Sequence, residues 1–293
     1  MSKIKIITDS AAAIPQEIIK KNNISVVNLK VLWPEEGING SIETKELFKK
    51  MRETESDIAP KTSQPSVGDF KEAFEKAFED YYDEIVCVVL STGMSGTYNS
   101  AIQAVKFVSK EKQNKISIID SFNADGAEGL IALKAVELAE KGINREEIVS
   151  KLEQFKENVK VVGFPGDPKW IERNGRLSHA GAGLIRELEK VGIRLLLVLK
   201  KGKVKVSSIR FKAKDKAAAV VRELEAAIKD KEAVVTITHA DMLSVAQDLK
   251  NQLAVECPNA KILFIDDINP IIGCHLGPDS IICCYYLKEN DVL

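Results

Sequence analysis

Residues 84–105 read EIVCVVLSTGMSGTYNSAIQAV. An unbroken apolar run stops at a loop rich in hydroxyls and glycine, and a stretch with helix-like polar and apolar spacing follows. A buried strand that hands over to a helix through a polar loop is the repeating unit of a parallel sheet. The pattern predicts a strand over 84–90 and a helix over 98–109. The same alternation extends in both directions. KIKIIT (3–8) reads as a strand, with a Thr-Asp-Ser turn and a helix from about Pro15, the residue type favoured at a first helical position. ISVVNLKVLW (24–33) reads as the next strand, and helix 67–80 leads into the quoted stretch. Beyond it come strand 115–120, helices 126–141 and 145–157, and strand 159–164.

Strands alternating with helices of this length imply right-handed crossovers. The first part is therefore expected to be a Rossmann-like α/β domain over 1–160, a mostly parallel sheet with helices on both faces. Polar, Pro- and Gly-punctuated sequence over about 34–66, with one short helix near Glu46–Arg52, reads as an excursion from its sheet. After GDPKWIERNGRLS (166–178) the style changes to a hairpin (193–211), helix 214–229, strand 233–239, helix 240–254 and strands 261–266 and 280–287. Hairpins mixed with helices predict a second, α+β domain over 161–293 with a mixed or antiparallel sheet.

The chain has 293 residues, 45% of them hydrophobic, enough for two packed domains. Its 42 basic and 43 acidic residues leave a net charge of -1, which gives no general affinity for nucleic acid or a membrane surface. LKKGKVKV (199–206) is locally basic but lacks interleaved aromatics and reads as a solvated hairpin turning at Lys201 and Gly202. No apolar run approaches the ~20 residues of a membrane helix. The N-terminus enters a strand directly, so a cytoplasmic protein is expected. Five cysteines without a C-x-x-C pair read as buried reduced thiols, and no metal site is expected.

Three strands of the first part end in hydroxyl-rich loops: Thr8-Asp9-Ser10, Ser91-Thr92-Gly93-Met94-Ser95-Gly96-Thr97, and Asp120-Ser121. In a parallel sheet these ends share one edge, where the following helices present free N–H groups. A crevice for a small anion is expected there. Each loop by itself is also explained as a helix cap, as Ser66 with Asp69 is. STGMSGT has no Lys of a phosphate loop, and no G-x-G-x-x-G follows a strand, so nucleotides are disfavoured. A carboxylate suits several hydroxyls and one cation, for which Arg176 and His275 are candidates. Both lie in the second part, which would place the ligand between the domains.

Thr8-Asp9-Ser10, Lys61-Thr62-Ser63-Gln64-Pro65-Ser66, Ser95-Gly96-Thr97-Tyr98, Gly175-Arg176-Leu177-Ser178 and the His-x-Gly-Pro at His275–Pro278 together resemble the DegV family of bacterial fatty-acid-binding proteins. The resemblance covers essentially the whole chain. It implies two α/β domains enclosing a long-chain fatty acid, the only bound group and not a cofactor, whose carboxylate is held by hydroxyls. It also implies that the acid is presented to a partner fatty acid kinase that makes acyl phosphate for phospholipid synthesis. No nucleic-acid or integral membrane contact is expected.

The resemblance places the carboxylate near Thr62 and Ser95, with His275 and Arg176 in the polar network. Ser63, Gly96, Thr97, Asp9, Ser10, Thr92 and Ser121 complete the expected ligand set, Asp9 by orienting hydroxyls rather than by touching the acid. No catalytic residue is expected. Three departures stand out: Asn174 where the family reads Gly, Leu276 and Asp279 where it reads H-T-G-P-G, and Pro168-Lys169-Trp170-Ile171 in place of Leu-x-x-Leu. Asp279 adds an acid close to the supposed anion site. Two rivals remain. A serine-dependent acyl hydrolase or transferase would need a base, and Ser95 lacks the G-x-S-x-G elbow, although a His275–Asp279 bond would revive the idea. The other is a binder of a different organic anion. His239 is expected to cap the next helix and His179 to line an interdomain loop.

Overall fold

The computed structural model describes residues 2–54, 58–175, 193–212 and 216–292, with Gly183, Ile185, Glu187, Leu188, Lys190 and Val191 from the segment between. In chain order the strands are β1 (Ile4–Asp9), β2 (Ser25–Val27), β3 (Lys30–Trp33), β4 (Ile38–Gly40), β5 (Lys61–Ser63), β6 (Glu84–Val89), β7 (Ile116–Asp120) and β8 (Lys160–Phe164). They continue with β9 (Ile193–Lys200), β10 (Lys203–Lys212), β11 (Ala233–His239), β12 (Ala260–Asp267) and β13 (Ile281–Leu287). The chain divides into two compact units: residues 1–30, 63–159 and 292–293 form the first, and 31–62 with 160–291 the second. Residues 34–62 of the excursion expected within the first domain are thus counted with the second.

The first unit is built on a parallel sheet in the order β2-β1-β6-β7. Alternate strand residues point to opposite faces. Ile7, Cys87 and Val89 pack with Phe70, Phe74, Ala101 and Ala104 of the helices Val67–Glu79 and Thr97–Val105. Thr8, one residue on, faces the other way and donates to Glu128 of the helix Gly126–Glu140. The sheet is therefore covered on both faces, as its apolar strands demanded. Ser66 caps the first of these helices in a reciprocal capping box with Asp69.

The second unit holds a six-stranded mixed sheet in the order β10-β9-β8-β13-β11-β12. Only β11 and β12 run parallel; the other neighbours are antiparallel. Its core joins Leu196, Val235, Ile237 and Cys283 to the helices Lys216–Ile228 and Leu243–Glu256. The hairpin turns at Lys201 and Gly202, both with positive φ, as expected.

Two of the elements that differ from expectation do so for local reasons. The strand expected over 24–33 is split into β2 and β3, which belong to different sheets. At the break the Leu29 N–H is taken by the Ser10 hydroxyl at 3.0 Å rather than by a neighbouring strand. A short helix, Pro270–Leu276, was not foreseen. Its signal was present, since Asn269 accepts from the Ile272 N–H at 3.1 Å and Pro270 occupies the first turn. His239 caps nothing: the following helix starts at Leu243, and the imidazole Nδ1 lies 3.3 Å from Asp267 Oδ1. All five cysteines are buried thiols. Among the described residues no helix is long and apolar enough to cross a membrane.

Candidate carboxylate-binding site

The K-T-S-Q-P-S stretch divides its side chains between the two units. Thr62, in β5, brings its Oγ1 to 2.9 Å from His275 Nε2, both within the second unit. Two residues on, Gln64 belongs to the first unit and donates from Nε2 to the Ser100 hydroxyl at 2.9 Å. Gln64 also lies over Gly96, where an added Cβ would stand 2.2 Å from its Oε1. A side chain at Gly96 would therefore displace the Gln64 amide. Pro65 then leads to the cap at Ser66.

His275 sits in the last turn of Pro270–Leu276, and the chain around it is held tightly. Gly277 takes φ 77, and a Cβ there would meet the Trp170 ring at 2.1 Å. The Gly166 N–H donates to the Leu276 carbonyl at 2.9 Å, and the Asn174 amide donates to the Cys274 carbonyl at 3.1 Å. Asn174 therefore joins the N-G-R segment to the histidine helix. Arg176 itself, like His179, lies outside the described residues.

The S-G-T loop turns on the Ser91 carbonyl, which accepts from the N–H groups of Met94 and Ser95. Ser95 Oγ lies 2.8 Å from Thr97 Oγ1 and accepts from the Thr97 N–H at 3.3 Å. Thr97 is fully buried, whereas Ser95 is half-buried. The neighbour of Ser95 is thus a hydroxyl, and among the described residues no base stands beside it. Asp279 turns to Arg52, its Oδ1 3.0 Å from Nη2, so the bond that would have revived the hydrolase reading is not made.

The other expected residues are engaged by their own surroundings. Ser10 accepts from Leu29, Ser121 bonds Asn123 twice, and Thr92 donates to Asp120 at 2.5 Å. Ser63 donates to the Gln64 carbonyl at 3.3 Å. Asp9 is wholly buried, and its two oxygens accept from the N–H groups of Ala11 and Leu90, each at 2.8 Å. This fastens the turn after β1 to the end of β6. Burial raises the Asp9 carboxyl to about 6, opposed by those backbone bonds. Beside it Glu128 is also wholly buried: burial first and the Asp9 charge second push its carboxyl well above the usual range. Glu128 and Arg52 escaped the sequence reading, and only the apolar setting of Glu128 in GAEGLIAL hinted at anything unusual. Among the described residues no cluster of His, Cys, Asp and Glu could hold a metal.

Residues 3–288 match the DegV family. A DegV domain-containing protein of Clostridium acetobutylicum is 31% identical, the match covering 98% of this chain and 99% of that one. A fatty acid-binding protein of Thermotoga maritima is also 31% identical, over 95% of this chain and 96% of its own. Among solved structures, a Thermotoga maritima protein described as revealing fatty acid binding function superposes with a TM-score of 0.82 at 28% identity, covering 98% of this chain and 100% of that one. DegV of Bacillus subtilis, described as a fatty acid binding protein, gives a TM-score of 0.81 at 26% identity, with 98% and 100% covered. With the T-S-Q-P, S-G-T and H-x-G-P segments each held in defined geometry and the match running nearly end to end, this chain belongs to the DegV family.

Proposed function

We propose that the protein binds a long-chain fatty acid, with the carboxylate received by Thr62 and His275, and presents it to a fatty acid kinase in the cytoplasm. The observation that carries this reading is the 2.9 Å pairing of Thr62 with His275. A hydroxyl and an imidazole that already share a hydrogen bond can both turn donors toward one anion. The proposal assigns Ser95, Gly96 and Thr97 to the same carboxylate. Relatives that bind fatty acids support the choice of anion.

The tail needs apolar wall. Leu276, next to His275, packs against a small cluster of Ile171, Ile185 and Leu197, separate from the main core. We assign the first part of the tail to this cluster. About ten buried methylenes at about 0.8 kcal/mol each would supply roughly 8 kcal/mol before ordering costs. Hydrogen bonds to the head group add about 1.5–3 kcal/mol each, less its desolvation. Affinity then comes from the tail and orientation from the head site.

Solvent extraction of the purified protein followed by mass spectrometry, together with titration with oleate, tests the reading. A bound fatty acid is expected, with Thr62→Ala and His275→Ala each weakening oleate about tenfold, or about 1.4 kcal/mol. Absence of any extracted acid, and of oleate binding by the wild type, overturns it. Acyl phosphate formation when a fatty acid kinase is added tests the presenting role separately.

A further inference from the structure

We propose that Arg52 is a positioning residue for the Thr62–His275 pair, acting through a two-acid clamp that sets how long the fatty acid stays bound. The inference rests on the function proposed above. Thr62 is carried by the segment 31–62, and His275 by the remainder of the second unit. Their 2.9 Å contact lasts only while the one is held on the other. Arg52, near the end of the helix Thr44–Glu53, reaches across with both guanidinium nitrogens. Nη1 lies 2.5 Å from Asp241 and Nη2 3.0 Å from Asp279.

The two acids are themselves fixed to each other. The Asp279 N–H donates to the Ala240 carbonyl at 3.0 Å, and the Ala240 N–H donates to the Ser280 carbonyl at 2.9 Å. Both acids sit in the left-handed region, Asp241 at φ 56 and Asp279 at φ 65, where glycine would be the easier residue. Their carboxylates are thus aimed by strained backbone at one cation. The same helix meets the His275 helix directly: a Cβ on Gly273 would stand 2.8 Å from the Phe48 ring. The clamp closes one end of the helix contact that Phe48 makes in its middle. Asp279, an acid placed four residues from His275, is by this arrangement paired with Arg52.

The Arg52 side chain is 39% exposed, so the clamp is open to salt, and its loss leaves the core intact. The test is the dissociation rate of oleate by stopped-flow displacement, in the wild type, Arg52→Ala, Arg52→Lys and Asp279→Gly. Arg52→Ala is expected to release oleate about tenfold faster, and Arg52→Lys, which keeps the charge but not the fork, about threefold faster. Raising sodium chloride to about 0.5 M should speed release from the wild type and leave Arg52→Ala unchanged. In the ligand-free protein the His275 imidazole nitrogen resonance should shift in Arg52→Ala. It should not shift in Lys71→Ala, which removes an exposed ion pair in the first unit. Equal dissociation rates and equal salt responses in wild type and Arg52→Ala overturn the clamp. If the wild type binds no oleate, the proposed function fails and the effect on residence time fails with it; the His275 resonance then decides the positioning role alone, an unmoved signal overturning it and a shifted one upholding it.

Discussion

The two units handle acidic side chains in opposite ways. In the first, Asp9 and Glu128 lie side by side without exposure, and burial raises both carboxyls above their ordinary range. In the second, Asp241 and Asp279 stand at the surface and share the Arg52 guanidinium. Depth decides the solution. A buried acid is satisfied by backbone N–H groups and a shared proton, because an ion pair of charges there would forfeit hydration. A surface acid keeps its charge and takes a cation, at little gain to global stability.

The comparison breaks most visibly at Asp9. Asp9→Ala strips the acceptor from the buried N–H groups of Ala11 and Leu90, and a loss of roughly 2–5 kcal/mol in denaturant unfolding is expected. Glu128→Gln should act in the other direction. The raised carboxyls make the folded state hold protons that the unfolded chain gives up. Stability from this pair is therefore full below about pH 4 and is lost as pH rises through about 6 for Asp9 and further for Glu128. Glutamine keeps a donor for Asp9 without a proton to lose. A gain of about 1–3 kcal/mol at pH 8, vanishing near pH 4, should appear in paired melts of mutant and wild type.

At the surface the effects shrink. Arg52→Ala should cost about 1 kcal/mol or less, and less again at high salt, measured by the same denaturant series. Asp279→Gly should be the smallest. It removes one arm of the clamp while relieving a left-handed residue, and unfolding within about 0.5 kcal/mol of wild type is expected even where oleate release quickens. A large stability loss in Asp279→Gly would show that the two acid clusters differ less than their exposure indicates.

The sequence made the parallel sheet legible because runs such as IVCVVL must be covered on both faces, and the covering helices carry their own period. It also announced the capping box at Ser66, since the spacing to Asp69 is local. What it hid depends on contacts between distant residues. Nothing in T-E-S-D or M-R-E-T marks Arg52 as the partner of acids about 190 and 230 residues away. Thr62 and His275 were both named as site residues, yet their direct pairing, and the helix that delivers the histidine, emerge only in three dimensions. The bonds that tie Ser10 to Leu29, Ser121 to Asn123 and Thr92 to Asp120 were hidden likewise, because composition does not show what a hydroxyl is bonded to.

The buried thiols give the molecule internal clocks. Cys87 lies in the first unit, and Cys257, Cys274, Cys283 and Cys284 in the second, with burial holding the Cys87 and Cys274 thiols above their ordinary titration range. An alkylating reagent can reach a sulfur only when the structure around it opens. Peptide-resolved alkylation would therefore time the opening of each unit separately, and a bound amphiphile should slow whichever hand it steadies.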